Sequence, residues 1–270
     1  MMRGLSKAAM AQVEARFNVL AASADLGSLA EELFAIAGLF DREHGLRRNM
    51  SDPARPAELK AEILRSLLNG KVSDTAIEVA VAAVEAKWSR AGDLPDALER
   101  LGVTAAAAEA ESFGEIDDLE DELFRFGRIL AAYPELRRAL SDPNIPGDRK
   151  RALLTELLEG KVTRAALRLI TQLVVHPRGR SLESALDEYG WIVARLKERL
   201  VGVVRSAVPL TEEQKQRLAA WLRATYGREV HLNVEVDPKV LGGFSVQIGD
   251  HFIDTTIAGR IEDVRRRLAG

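Results

Sequence analysis

The sequence predicts a mostly α chain with a small α+β module: two tandem copies of an antiparallel helical bundle, followed by a C-terminal α/β domain. Two observations carry this. Residues 29–79 match residues 119–169 without a gap at an offset of 90. Near residue 200 the apolar pattern then changes from helical spacing to alternation, and no third copy follows. The expected domains are therefore 1–104, 105–200 and 201–270. A fixed-offset repeat decides the fold before any single element is read.

The duplication is dense. Leu29, Glu32, Leu33 and Phe34 return as Leu119, Glu122, Leu123 and Phe124. Ser51-Asp52-Pro53 returns as Ser141-Asp142-Pro143, and Gly70-Lys71-Val72 as Gly160-Lys161-Val162. Pro56, Lys60, Leu64, Leu67, Leu68 and Ala76 return as Pro146, Lys150, Leu154, Leu157, Leu158 and Ala166.

In chain order, residues 5–22 read as a helix with Met10, Val13, Phe17 and Leu20 on one face. Asp25 caps the next, whose stripe is Leu29, Leu33, Ile36 and Phe40. The second-copy stripe is Leu119, Leu123, Phe126, Leu130 and Tyr133. Each copy then reaches Asp-Pro, where the residue before proline is pushed away from helical backbone. Helices over 56–68 and 146–158 begin at proline and end at Gly70 and Gly160. Ser73 and Thr163 cap the following helices. These carry Ile77, Val81 and Val84 in one copy, and Leu167, Ile170 and Val174 in the other. Beyond Trp88 the copies diverge, and a two-residue gap restores alignment at Leu94/Leu182, Ala97/Ala185 and Leu98/Leu186. Ala105 to Ala108 separates the copies and reads as helical. The last helix of copy two is long, with Leu182, Leu186, Tyr189, Val193, Leu196 and Leu200 on one stripe.

The final module starts with a strand over 201–208. Thr211-Glu212-Glu213-Gln214 forms a capping box for a helix carrying Leu218, Trp221 and Leu222. Val230, Leu232, Val234 and Val236 alternate with polar residues and define a second strand; Phe244, Val246 and Ile248 define a third. Gly242-Gly243 reads as a hairpin connection between them, and Gly249-Asp250 as another turn. Ile257, Ile261, Val264 and Leu268 mark a last helix.

Composition excludes several functions. Lys and Arg number 38 against 41 Asp and Glu, with the signs interspersed, so no basic footprint for nucleic acid exists. No cysteine is present, which removes disulfides, thiolate metal sites and cysteine nucleophiles. No apolar run reaches the roughly 18 residues of a membrane span, and no signal-peptide-like segment opens the chain. A soluble, cytoplasmic protein is expected.

No catalytic constellation, cofactor motif or metal set is found. His44, His176, His231 and His251 share no ligand spacing. Asp117 and Asp118 sit at a helix start, where the dipole favours them without catalysis. Gly242-Gly243 precedes a strand rather than a helix and lacks the Lys-Ser/Thr of a phosphate loop.

The stretch Ser206-Ala207-Val208-Pro209-Leu210-Thr211, then Val236 to Asp250, then Ile253-Asp254, resembles the delta subunit of bacterial ATP synthase. That family includes the mitochondrial oligomycin-sensitivity-conferring protein. The segment from Pro134 to Pro146, Lys150, and Arg178-Gly179-Arg180 resemble landmarks of its N-terminal domain. The likeness covers about residues 115–270 directly, and the first copy through the duplication. The additional copy resembles the extended form of some high-GC Gram-positive bacteria.

The resemblance implies a non-enzymatic tie, without cofactor, at the cytoplasmic face of the bacterial plasma membrane. It would join the catalytic head to the b stalk and resist rotor torque. It implies that the helical part grips N-terminal helices of alpha subunits and that the α/β module meets the C-terminal end of a separate b subunit. An amphipathic partner helix fits a groove between bundle helices. The candidate groove residues are Val13, Phe17, Ile77 and Val81, with Leu167, Ile170 and Val174 as second-copy counterparts. The alternative is that these side chains face the bundle's own core. Asp237, Gly242, Gly243, Gly249, Asp250 and Asp254 are expected to shape the α/β module. Two other functions stay open: a free helical adaptor with a different partner, and an enzyme with a ligand-sized pocket beside Gly242-Gly243.

Overall fold

The computed structural model describes residues 4–199, 201–226, 230–237, 240, 242–248 and 251–254. It contains two compact units, Met1–Val193 and Ala194–Gly270. Both helical copies belong to the first, up to Val193; the end of copy two, from Ala194, falls in the second.

The duplication is reproduced helix by helix. α1 is Leu5–Ala21, and four helices of copy one follow: α2 (Leu26–Arg42), α3 (His44–Ser51), α4 (Ala57–Leu68) and α5 (Asp74–Glu85). Shifted by 90 they become α7 (Ile116–Ala132), α8 (Pro134–Ser141), α9 (Gly147–Leu158) and α10 (Arg164–Val175). Between them lies α6 (Asp93–Ser112), and α11 (Leu182–Arg199) ends the series. The same shift carries α1 onto 95–111, inside α6. α6 therefore closes copy one and opens copy two: it packs on α2 and also on α10, as α1 packs on α5. Ala105 to Ala108 lie within this helix, and so does the 104/105 boundary expected from sequence. Ala105, Ala106 and Ala107 are fully buried, because small side chains let helices approach α6 from both sides.

The turns repeat as closely. Asp25 accepts hydrogen bonds from the Gly27 and Ser28 amides. The Ser73 hydroxyl accepts from Ala76 N–H at 3.2 Å, and the Thr163 hydroxyl from Ala166 N–H at 3.2 Å. In each copy a glutamate 41 residues upstream grips the cap: Glu32 accepts from Ser73 N–H and O–H, and Glu122 from Thr163 N–H and O–H. Gly70 and Gly160 end α4 and α9 with φ of 70° and 71°, the left-handed region that suits glycine.

One stripe residue moves. Tyr133 is not the last buried position of α7; it is exposed and breaks the helix at φ −122°, ψ 83°. Pro134 follows it and disfavours helical backbone there. A separate short helix, α8, begins at that proline, and α3 is its counterpart. In α11, Leu182, Leu186, Tyr189, Val193 and Leu196 are all buried; Leu200 lies outside the described residues.

The second unit holds β1 (Val201–Ser206), α12 (Glu212–Tyr226), β2 (His231–Val236), β3 (Phe244–Ile248) and β4 (His251–Asp254). The capping box forms: Thr211 N–H donates to Gln214 Oε1 at 2.9 Å, and Gln214 N–H to Thr211 Oγ1 at 3.2 Å. Sheet order is β2-β1-β3-β4, with β1 parallel to β2 and antiparallel to β3. α12 makes the crossover that the parallel pair requires. Val204, Leu218, Leu222, Val230 and Val246 form the core, with Leu232, Val234, Phe244 and Ile253 against it.

This order corrects one expectation. β2 and β3 are not adjacent; β1 lies between them, so Gly242-Gly243 does not make a hairpin. The hairpin is β3–β4, with Ile248 opposite His251. β4 has four residues, too few to show alternation in the sequence. The expected helix around Ile257, Ile261, Val264 and Leu268 lies outside the described residues.

Candidate functional site

The proposed groove residues divide by burial. Val13, Phe17, Ile77, Val81, Ile170 and Val174 are buried in the first unit, and Leu167 is half-buried. They form the interior side of α1, α5 and α10. What these helices leave exposed is the next set of positions. On α1 these are Gln12, Arg16 and Val19, the last 68% exposed. On α5, Glu78 is half-exposed and bonded to Arg65 of α4 at 2.7 Å and 3.0 Å. This guanidinium pair holds the Glu78 carboxyl below the usual carboxylate range, opposed by some desolvation and helped by Arg16.

The corresponding face of copy two is covered by the chain itself. Ninety residues after Gln12 stands Gly102, and α2 crosses α6 there. A Cβ on Gly102 would meet the Phe34 ring at 2.6 Å, so only glycine permits this approach. α2 also reaches α10: Arg168 pairs with Glu31 of α2 at 3.1 Å and with Glu109 of α6. Arg168 is the counterpart of Glu78. The α6–α10 junction thus already has a helix over it, whereas Gln12 and Val19 on α1 are exposed.

A buried ionic cluster fixes this arrangement. Glu99 of α6, 2% exposed, accepts from Arg178 Nη1 at 2.6 Å, Arg180 Nη2 at 2.5 Å and Tyr189 Oη at 2.7 Å. Arg178 also reaches Asp96 at 2.8 Å and Asp41 of α2 at 3.2 Å. Arg178 holds a left-handed backbone, φ 51°, beside Gly179 at φ 74°. Burial pushes the Tyr189 phenol well above its ordinary value, and the neighbouring Glu99 carboxylate adds to this. The phenol therefore stays a proton donor. The sequence marked Arg178-Gly179-Arg180 as a motif; its partners Asp41 and Glu99 carry no local signature.

Between α2, α9 and α10 lies an open groove of about 590 Å³. Leu167 lines it, with Phe34, Ala35, Thr155, Thr171 and charged side chains from all three helices.

In the second unit, Asp237 N–H donates to Ser206 O at 2.9 Å and its carbonyl accepts from Val240 N–H at 3.0 Å. Gly242 and Gly243 follow with φ of 65° and 81°. Both therefore need the backbone freedom of glycine to turn the chain from β2 toward β3. Asp254 ends β4 opposite Ser245. Gly249 and Asp250 lie outside the described residues. Exposed apolar side chains here are Val208, Trp221 and Val236. Among the described residues no cluster of His, Asp or Glu could hold a metal, and no helix is long and apolar enough to cross a membrane.

The profile of the family described as "ATP synthase delta (OSCP) subunit" matches residues 103–268. Copy two and the α/β unit fall within that match; copy one precedes it. Full-length relatives extend the likeness to the whole chain. "ATP synthase subunit delta" of Thermobifida fusca (strain YX) is 47% identical, covering all of both chains. Its Streptomyces coelicolor counterpart is 47% identical, covering 99% of this chain and 98% of that one. The Beutenbergia cavernae protein is 41% identical over all of both. A profile spanning more than half the chain, and relatives that share its duplicated length, place it together with them: the chain belongs to the ATP synthase delta (OSCP) subunit family.

Proposed function

We propose that copy one, through the exposed face of α1 and α5, grips the N-terminal helix of an alpha subunit in the ATP synthase head. The chain is a non-catalytic stator subunit of the peripheral stalk, a peripheral component of the membrane-bound synthase. Within that role the open question is where it holds.

One observation carries the answer: the repeat supplies its own example of an occupied face. In copy two, α2 lies over the α6–α10 junction and contacts both helices. In copy one the matching junction of α1 and α5 presents Gln12, Arg16, Val19 and Glu78. A face built to receive an amphipathic helix in one repeat is suited to receive one in the other. Val13, Phe17, Ile77 and Val81 then form the wall behind the contact. Ile170 and Val174 do the same in copy two, where the occupant is α2.

The α/β unit is the remaining attachment, to the C-terminal end of b, with Trp221, Val208 and Val236 as the apolar surface available. Two linked contacts raise each other's effective concentration, which suits a tie that must not release under load. The division into residues 1–104, 105–200 and 201–270 follows this reading, with α6 shared between the first two. The location is the cytoplasmic face of the bacterial plasma membrane.

The test is calorimetric titration of the full chain with a synthetic alpha N-terminal helix. Val19→Asp, an exposed change, should weaken binding at least about tenfold, or about 1.4 kcal/mol. Equal binding by the wild type and the variant would remove the α1–α5 face from the account.

A further inference from the structure

We infer that the groove between α2, α9 and α10 is a second docking surface, and that it receives an acidic amphipathic helix of a partner protein. This groove does not exist in either repeat alone: α2 comes from copy one, α9 and α10 from copy two. It does not depend on the α1–α5 reading above.

Its shape suits a helix. Its α10 wall runs from Arg164 to Gln172, with His176 just beyond the helix, enough for about two to three turns at 1.5 Å per residue. Its apolar lining is Phe34 and Ala35 from α2 and Leu167 from α10, beside the polar Thr155, Thr171 and Gln172.

Glu31 and Glu159 also line the groove, but the charge at one end suits carboxylates. At one end, Arg42 of α2, Arg151 of α9 and His176 after α10 converge. Arg42 and Arg151 are exposed, and among the described residues neither has a carboxylate partner at ion-pair distance. This contrasts with Arg168, Arg178 and Arg180, each of which is paired with at least one glutamate. Burial, Arg151 and Arg42 all push the His176 imidazole toward its neutral form, against the weaker opposing pull of Asp41 and Glu99. An incoming carboxylate would offset the repulsion from Arg151 and Arg42. Two unpaired guanidinium groups beside an apolar trough form the complement of a helix with a leucine face and a glutamate edge.

The experiment uses fluorescence anisotropy on the full chain. The probe is a labelled peptide of roughly 14 residues, leucine on one face and glutamate along its edge. The wild type should bind it, more weakly as salt rises. Arg42→Glu/Arg151→Glu should weaken binding at least about tenfold, as should replacing the peptide's glutamates with glutamine. Ala35→Trp, which fills the trough without changing charge, should weaken it as well. All three substituted positions are exposed, and thermal melts confirm folding. Equal binding by the wild type and both variants overturns the proposal. So does phosphate, or a vesicle containing anionic phospholipid, bound through Arg42 and Arg151 while the peptide is not. Val19→Asp should leave probe binding unchanged, so failure here is distinguishable from failure at α1–α5.

Discussion

Phe34 of α2 lies directly on Gly102 of α6, so close that a single methyl on the glycine would stand 2.6 Å from the ring. Phe34 is 6% exposed, whereas its counterpart Phe124 is 66% exposed. The counterpart of Gly102, allowing for the two-residue gap, is Gly190, where a Cβ would meet nothing within 4 Å. Identical residue pairs in the two copies thus have opposite surroundings.

That difference sets a paired prediction. Gly102→Val should destabilise the helical unit by about 1–3 kcal/mol through overpacking. Gly190→Ala should be neutral or stabilise by about 0.5–1 kcal/mol, since glycine inside a helix is costly. Thermal melts of both variants measure this. Similar losses in both would show that Phe34–Gly102 is not a specific contact.

The Glu99 cluster should behave as a single unit. Glu99→Ala leaves Arg178 and Arg180 without their shared carboxylate in a buried site and should cost about 3–5 kcal/mol. The exposed i,i+4 pair Arg125–Asp121 offers the control: Asp121→Ala should cost well under about 1 kcal/mol. Urea unfolding distinguishes them. A small effect at Glu99 would mean that the cluster does not hold α2, α6 and the Arg178 loop together.

Two groups give the stability a pH dependence at opposite ends. The folded Tyr189 phenol titrates well above its unfolded value, so stability is complete below about pH 10 and falls as pH rises beyond it. His176 shifts the other way. Burial, then the facing Arg151 and Arg42, disfavour its charged form against the pull of Asp41 and Glu99, and the folded protein favours the neutral form. The unfolded chain therefore binds the proton first, and stability is lost as pH falls below about 6.5. Tyr189→Phe should flatten the alkaline limb and His176→Gln the acidic one, each measured by melting across pH. An unchanged limb in either variant would assign the effect to another group.

Much of this architecture was legible because the signals were local or repeated. Asp25, Ser73, Thr163 and the Thr211–Gln214 box are caps whose partners lie within three residues. The 90-residue offset predicted matching helices, and α2 to α5 recur as α7 to α10. What was hidden depends on packing between repeats. No spacing shows that Phe34 is covered while Phe124 is not, or that Asp41 meets Arg178 across 137 residues. The α/β unit shows the same limit. Alternation identified β2 and β3, but only the sheet order places β1 between them. Helical periodicity put Val13 and Phe17, and Ile77 and Val81, on one face each; it does not say that this face is buried in the bundle while Gln12, Arg16 and Val19 are exposed.

On the reading proposed above, copy one holds the head through α1, while copy two has its matching face covered by α2. The most direct measurement places a photo-crosslinking residue at position 19 in the assembled synthase, replacing Val19, and identifies the product by mass spectrometry. The expected product is a link to the N-terminal segment of an alpha subunit. No link, or a link to b instead, would contradict that reading.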